Sequence, residues 1–282
     1  MKWLSYIKQK VHLIAEKYGW YHHPKTNYSV NGQWLVASRG AFFRKGEKDD
    51  AWLYALSRHH RCIVDVGCNI GQSSLLMLLG SANRMLCIDP NPKALARCAE
   101  NLIYNNLAAR VTFINAFVGS VEDRELDFYT IGIGAAGSMY AGFAKTARLH
   151  KQSFRVKTRT LDTICQDAGV EPDLIKIDVE GAEKDVLWGI GKSVLIQKPT
   201  ILVEVHSGPE LSIITNTEAI LTWCKAHQYT PYYLKNHSLL ETVSIIASRG
   251  RYHLLLLPAD APYPDYLMGI QENAPLPFAE AL

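Results

Sequence analysis

From residue 61 onward the apolar positions fall into two alternating rhythms. Short, nearly unbroken runs, "RCIVDV" (61–66), "RMLCID" (84–89) and "RVTFINAF" (110–117), are separated by stretches at 71–80 and 92–105 with apolar residues every three or four positions. Unbroken short runs predict strands covered on both faces, and the longer period predicts amphipathic helices. The rhythm resumes with "DLIKID" (173–178), a helix at 182–190, "PTILVEV" (199–205) and a helix at 216–227. Such alternation predicts an α/β fold with a doubly wound, mostly parallel sheet. The last two runs, "YTPYYLK" and "YHLLLLP", have no helical stretch between them and are expected to pair antiparallel at the C-terminal end.

Outside this core the pattern loosens. Residues 2–18 put Leu4, Ile7, Val11, Ile14 and Tyr18 on one face of a basic amphipathic helix, suited to packing on the domain or to peripheral contact with a membrane surface. Residues 19–60 carry turn signals and a short helical patch near 49–58, and read as a connecting segment. The expected organisation is therefore an N-terminal helical extension (1–60), a core domain (61–258) and a C-terminal tail (259–282). A glycine-bearing excursion at 121–158 ends in the strand-like "FRVKTRT"; it reads equally as a substrate lid or as a hairpin at the sheet margin.

Composition narrows the partners. The 282 residues are 48% hydrophobic with a formal net charge of +3, and the basic residues are scattered, so no nucleic-acid partner is expected. Six cysteines without a C-x-x-C pair fit reduced thiols and a cytoplasmic location. No apolar run approaches the roughly 18 residues of a transmembrane span, and "MKWLSYIKQK" is interrupted by lysines before a signal core develops.

The stretch "IVDVGCNIGQSSLL" (63–76) ends a strand with Asp65 and turns through Gly67 and Gly71 into a helix. Ligands of open parallel sheets bind beyond the carboxyl ends of the strands, at such a turn. A dinucleotide site wants G-x-G-x-x-G with no acid pushing on its diphosphate. D-x-G-x-x-x-G instead favours a ligand with a cationic ammonium, such as S-adenosylmethionine, held by Asp65 directly or through water. Asp89, at the end of the next strand, is placed to accept ribose hydroxyls or to cap the following helix. Asn115 and Ala116, from the third strand, face the expected adenine pocket beside Phe117.

The second cluster is "DLIKIDVEGAEKDVLWG" (173–189). Alternation puts Lys176 and Asp178 on one strand face, and a buried lysine is expected to pair with a carboxylate. Asp178, Glu180, Glu204 and His206 are expected at the carboxyl edge, with His206 as a general base or as a satisfied structural histidine. These four form a set able to hold a divalent cation, yet no spacing is diagnostic of one, and no metal is predicted.

The order "VDVGCNIG", "CIDPNP", "TLDTI", "DLIKIDVEGAE" and "ILVEVH" resembles the FkbM-type S-adenosylmethionine-dependent methyltransferases over about residues 40–258, "KIDVEGAE" being the most distinctive element. The resemblance implies a seven-stranded, Rossmann-like class I methyltransferase sheet, and S-adenosyl-L-homocysteine as the product of the donor. It further implies O-methylation of a hydroxyl on a sugar, glycolipid or secondary metabolite, a small-molecule or glycan acceptor. By position, Asp65, Gly67, Asn69, Gly71 and Ser73 fall in the methionine-side loop, Asp89 at the ribose, and Asp178 with Glu180 at the reaction edge. The competing readings are an NAD-linked oxidoreductase on a similar sheet and a non-catalytic cofactor-binding interaction module.

Overall fold

A computed structural model describes residues 25–30, 32–38, 49–79, 81–130, 137–139 and 153–276. The expected helix at 2–18 lies outside the described residues, as does much of the excursion at 121–158. In chain order the elements are β1 (Lys25–Val30), β2 (Gln33–Ser38), α1 (Asp50–Ser57), β3 (Cys62–Val66), α2 (Gln72–Leu78), β4 (Arg84–Ile88), α3 (Pro92–Tyr104) and β5 (Val111–Ile114). There follow β6 (Phe117–Val118), β7 (Glu125–Tyr129), β8 (Ser153–Arg159), α4 (Leu161–Ala168), β9 (Leu174–Ile177), α5 (Glu183–Trp188), α6 (Lys192–Leu195) and β10 (Thr200–His206). The chain closes with α7 (Ile213–His227), β11 (Tyr229–Tyr233), β12 (Ser238–Leu239) and β13 (Arg251–Pro258).

The principal sheet has the order β12-β11-β13-β10-β9-β3-β4-β5. Five neighbouring strands, β10, β9, β3, β4 and β5, run parallel. β13 is antiparallel to β10 and β11 antiparallel to β13, the arrangement foreseen for a C-terminal pair that no helix joins. Seven of these strands are the expected ones; the eighth, β12, is a two-residue edge added by the turn after β11. The order reverses between β3 and β9, and that switch point is where an open sheet offers a crevice.

Strand alternation explains the two-sided core. Val64, Val66, Leu86, Ile88, Ile175 and Ile177 pack to one face, and Ile63, Met85, Cys87 and Leu174 to the other. Asp65 and Lys176 share the second face and sit directly opposite one another in the β3–β9 register. Helix starts follow capping chemistry: Asn91 accepts from Lys93 N and Ala94 N ahead of Pro92, and Thr160 accepts from Thr163 N. The α3 cap is thus Asn91, not Asp89.

One feature differs from the sequence expectation. The connecting segment contains a hairpin, β1–β2, turning at Gly32 with φ +75°. The α3 side chains Asn101 and Asn105 bind its backbone, at Ser38 N and Val36 N, which fastens the hairpin to the domain. The described ends of the 121–158 excursion form an antiparallel pair, β7–β8, in a separate three-stranded sheet with β6. The tail also packs back, Trp52 Nε1 donating to Ile270 O at 3.0 Å. Among the described residues no helix is long and apolar enough to cross a membrane.

Candidate active site

A cleft of about 670 Å³, counting its part open to solvent, lies beyond the carboxyl ends of β3, β4 and β9. Its walls come from Gly67 and Asn69 after β3, Ile88 and Asp89 at the end of β4, Ala116, Phe117 and Val118, and Asp178 and Glu180 after β9. Phe128, Thr130 and Gly137 of the excursion close it on the remaining side. Its charged lining residues are Asp89, Asp178 and Glu180; no Lys, Arg or His lines it among the described residues.

The glycine turn brings backbone close to backbone. Gly67 has φ +82°, and a Cβ there would fall 1.9 Å from Asp178 O; Gly71 has φ +86°, and its Cβ would fall 2.7 Å from Cys98 Sγ. Neither a side chain nor ordinary dihedrals fit these positions. Asn69 also adopts a positive φ, 47°, which asparagine tolerates better than most residues. Cys68, Cys87 and Cys98 lie buried together beneath this loop.

Asp89 organises the loop. Its Oδ2 accepts from Asn69 N at 2.9 Å and its Oδ1 from Asn91 N at 2.8 Å, and each oxygen keeps a further lone pair for the cleft. Burial pushes its carboxyl up to about 7, against the pull of those two N–H groups.

Asp65 requires a correction. Instead of meeting a ligand's ammonium, it is fully buried behind the loop and does not line the cleft. Its Oδ2 accepts from Ser73 Oγ at 2.8 Å and Ser74 Oγ at 2.7 Å, and its Oδ1 pairs with Lys176 Nζ at 3.3 Å. The lysine opposite Asp65 supplies the positive charge that a ligand would have brought. Ser73 is committed to the same carboxylate, and Gly71 shapes the turn from behind. Asn115 donates to Asp89 O at 2.8 Å and is likewise not a lining residue, whereas Ala116 is.

The second cluster gathers as expected at the sheet edge, but in layers. Asp178 and Glu180 face the cleft; His206 and Glu204 are buried behind them and do not line it. Glu180, with φ 49°, and Gly181, with φ +101°, make the turn, and Ser138 Oγ donates to Glu180 O at 2.7 Å. Burial acts to raise the Asp178 carboxyl, but Lys176 Nζ at 3.2 Å and the nearby His206 outweigh it and hold it below the usual carboxylate range. Burial raises Glu180, and burial with the Asp178 charge pushes Glu204 up to about 8.

His206 Nδ1 lies 2.8 Å from Glu183 Oε1. Glu183 also takes Gly181 N at 2.9 Å and Asn216 Nδ2 at 2.8 Å, so as an acceptor of three donors it fixes the proton on Nδ1. Burial disfavours charge on His206, yet the Glu183 bond and the surrounding carboxylates lift it to about 10. Its Nε2 has no hydrogen-bond partner and faces Asp178 Oδ1, Glu180 Oε2 and Glu204 Oε1 at 3.7–3.8 Å. The sequence reading missed Glu183, Asn216, His253 and Asp49. Glu183 stands inside the distinctive "KIDVEGAE", and His253 interrupts an apolar strand run; the latter was the available signal for a polar partner opposite Glu204.

A family model described as the methyltransferase FkbM domain matches residues 65–231. The 2-O-methyltransferase NoeI of Sinorhizobium fredii (strain NBRC 101917 / NGR234) is 34% identical over 164 residues, covering 53% of this chain and 64% of that protein. The AMB antimetabolite synthetase AmbE of Pseudomonas aeruginosa is 32% identical over 95 residues, 33% of this chain and 4% of that protein. The chain therefore spans less than two thirds of either curated relative. Among solved structures, methyltransferase FkbM from Methylobacillus flagellatus KT is 20% identical with a TM-score of 0.44, covering 70% of this chain and 43% of that one.

Proposed function

The chain belongs to the FkbM methyltransferase family, and from that premise we propose that it moves a methyl group from S-adenosylmethionine to a hydroxyl oxygen of a sugar, glycolipid or secondary metabolite. The observation that carries this reading is the charge of the cleft: Asp89, Asp178 and Glu180 line it without a basic residue among the described ones. Such a lining attracts a sulfonium and an ammonium and repels the diphosphate of a dinucleotide, which sets the oxidoreductase reading aside. NoeI's description as a 2-O-methyltransferase supports oxygen as the acceptor atom.

The residues fit the donor. Gly67 lets the turn lie against the end of β9 at the cleft floor, Asp89 retains lone pairs for ribose hydroxyls, and Ile88, Ala116, Phe117 and Val118 offer an apolar wall for a base. When bound, the donor supplies an electrophilic methyl whose bond to sulfur breaks as the bond to oxygen forms, the sulfur keeping the electron pair. The protein's part is to align the hydroxyl with that bond and exclude competing geometries. Asp178, anionic and at the cleft edge, orients the acceptor hydroxyl and takes its proton. Lys176 keeps Asp178 ionised, and His206 acts through Asp178 as a positioning residue. The six free thiols accord with work in the cytoplasm.

Incubation with isotopically labelled donor and a panel of oligosaccharides and hydroxylated metabolites, followed by mass spectrometry and NMR, tests the reading. A methyl ether is the expected product. Saturable binding of a dinucleotide with none of S-adenosylmethionine, or methylation confined to nitrogen, would overturn it.

A further inference from the structure

At and behind the cleft edge lies a cluster of ionisable side chains. It contains the carboxylates of Asp49, Asp65, Asp178, Glu180, Glu183 and Glu204, with Lys176 and Arg251 as fixed cations.

The distances inside the cluster are informative. His206 Nε2 stands 3.8 Å from Asp178 Oδ1, 3.7 Å from Glu204 Oε1 and 3.8 Å from Glu180 Oε2. These are too long for hydrogen bonds, and Nε2 is left without a partner although its side chain is only 6% exposed. Two ligands on one tetrahedral ion, each about 2.1 Å from it, stand roughly 3.4 Å apart, so the spacing suits atoms grouped around an ion. The ligand atoms of Asp178, Glu204 and His206 all lie within 4.8 Å of one another. The ring is also oriented as a metal ligand's would be: its other nitrogen donates to Glu183, itself held by Gly181 N and Asn216 Nδ2, which points Nε2 into the cluster.

We propose that His206 Nε2, Asp178 and Glu204 bind a divalent cation, with Glu180 as a further oxygen ligand. One imidazole with carboxylates suits Mn²⁺, Co²⁺ or Zn²⁺ better than Mg²⁺ or Ca²⁺, which favour oxygen alone. The second trio of the cluster, Asp49, Glu204 and His253, shares Glu204 but lacks a carboxylate-oriented histidine; both His253 nitrogens are unpartnered. The first trio is favoured for that reason, and because Asp178 opens onto the cleft. The site goes beyond the methyl-transfer reading and is tested without donor or acceptor, so its failure leaves that reading untouched.

The full chain is stripped with chelator and titrated with Mn²⁺ and Co²⁺ by calorimetry and by electron paramagnetic resonance or visible absorption, with circular dichroism to verify folding. At least one equivalent is expected to bind. Asp178→Asn and Glu204→Gln should each weaken binding about tenfold or more, and Glu183→Gln, which touches no proposed ligand atom but removes the carboxylate that orients His206, by about 10–100-fold. Cys98→Ser should leave it unchanged. Failure of folded wild-type protein to bind any of the ions, equal affinity in the Asp178 and Glu204 variants, or a thiolate charge-transfer band placing Co²⁺ at the cysteines, would each overturn the proposal.

Discussion

Glu183 receives the Nδ1 proton of His206 at 2.8 Å from within the core, so one buried carboxylate determines which way the imidazole presents its other nitrogen. The same carboxylate takes Gly181 N and Asn216 Nδ2, joining the turn after β9, β10 and α7 in one network. Glu183→Ala strands three donors and is expected to cost about 3–5 kcal/mol. Glu183→Gln keeps the volume but opposes an amide N–H to the imidazole, costing about 1–3 kcal/mol. Urea unfolding checks both: the midpoint should fall with the slope unchanged. A midpoint unmoved in Glu183→Ala would show that the network is not a stabilising one.

Lys176 and Asp65 form the pair that relocates the role of the acid before the glycine turn. Lys176→Met leaves Asp65 and Asp178 without their shared cation and is expected to destabilise the fold by about 3–5 kcal/mol. Adding Asp65→Asn should recover part of that loss, with a coupling of about 0.5–3 kcal/mol between the two sites. Strict additivity in the double-mutant cycle would deny the pairing.

The contrast with the sequence reading is physical. The strand and helix order was legible because each rhythm is local: "RCIVDV" or "ALARCAENL" carries its own period. The glycine turn and the two edge acids, Asp89 and Asp178, were legible for the same reason. Asp65's partner was not, because Lys176 lies far along the chain and the pairing depends on β9 inserting beside β3. Nor was the layering of Asp178 before His206, which depends on where β10 lies relative to the turn at Glu180. The β1–β2 hairpin escaped notice because β1, "KTNYSV", is mostly polar and the hairpin is held, through Val36 and Ser38 of β2, by Asn101 and Asn105 far along the chain. His253 meets Glu204 only through the antiparallel register of β13.

The turn glycines permit a matched pair of substitutions. Gly67→Ala combines a left-handed φ with a Cβ 1.9 Å from Asp178 O, a backbone atom that cannot yield without moving the end of β9. Gly169→Ala also has a left-handed φ, +62°, but nothing lies within 4 Å of its Cβ. The second should cost about 1 kcal/mol, the ordinary conformational penalty. The first should lower the melting temperature further and weaken S-adenosylmethionine binding, which Gly169→Ala leaves intact. Equal shifts in thermal melts of the two variants would contradict the close approach of β3 and β9 at the cleft floor.

Asp89 makes both stability and donor binding depend on pH, in opposite directions. Burial lifts its carboxyl from 3.8 to about 7 in the folded protein, so the fold holds this proton more tightly than the unfolded chain does. Its contribution to stability is complete below the unfolded value and is lost as pH rises through about 7. Ribose hydroxyls, by contrast, donate to the ionised carboxylate, so donor affinity should rise with pH across the same range, by at most about tenfold per pH unit. Asp89→Asn should flatten both profiles and bind the donor more weakly at every pH, since an amide presents one acceptor oxygen where the carboxylate presents two. Calorimetric titration of S-adenosyl-L-homocysteine at pH 6, 7 and 8, paired with urea unfolding of the unliganded protein, reads the two slopes separately. A wild-type affinity that is constant over this range while Asp89→Asn binds equally well would remove the residue from the ribose contact and leave it only the bonds to Asn69 N and Asn91 N.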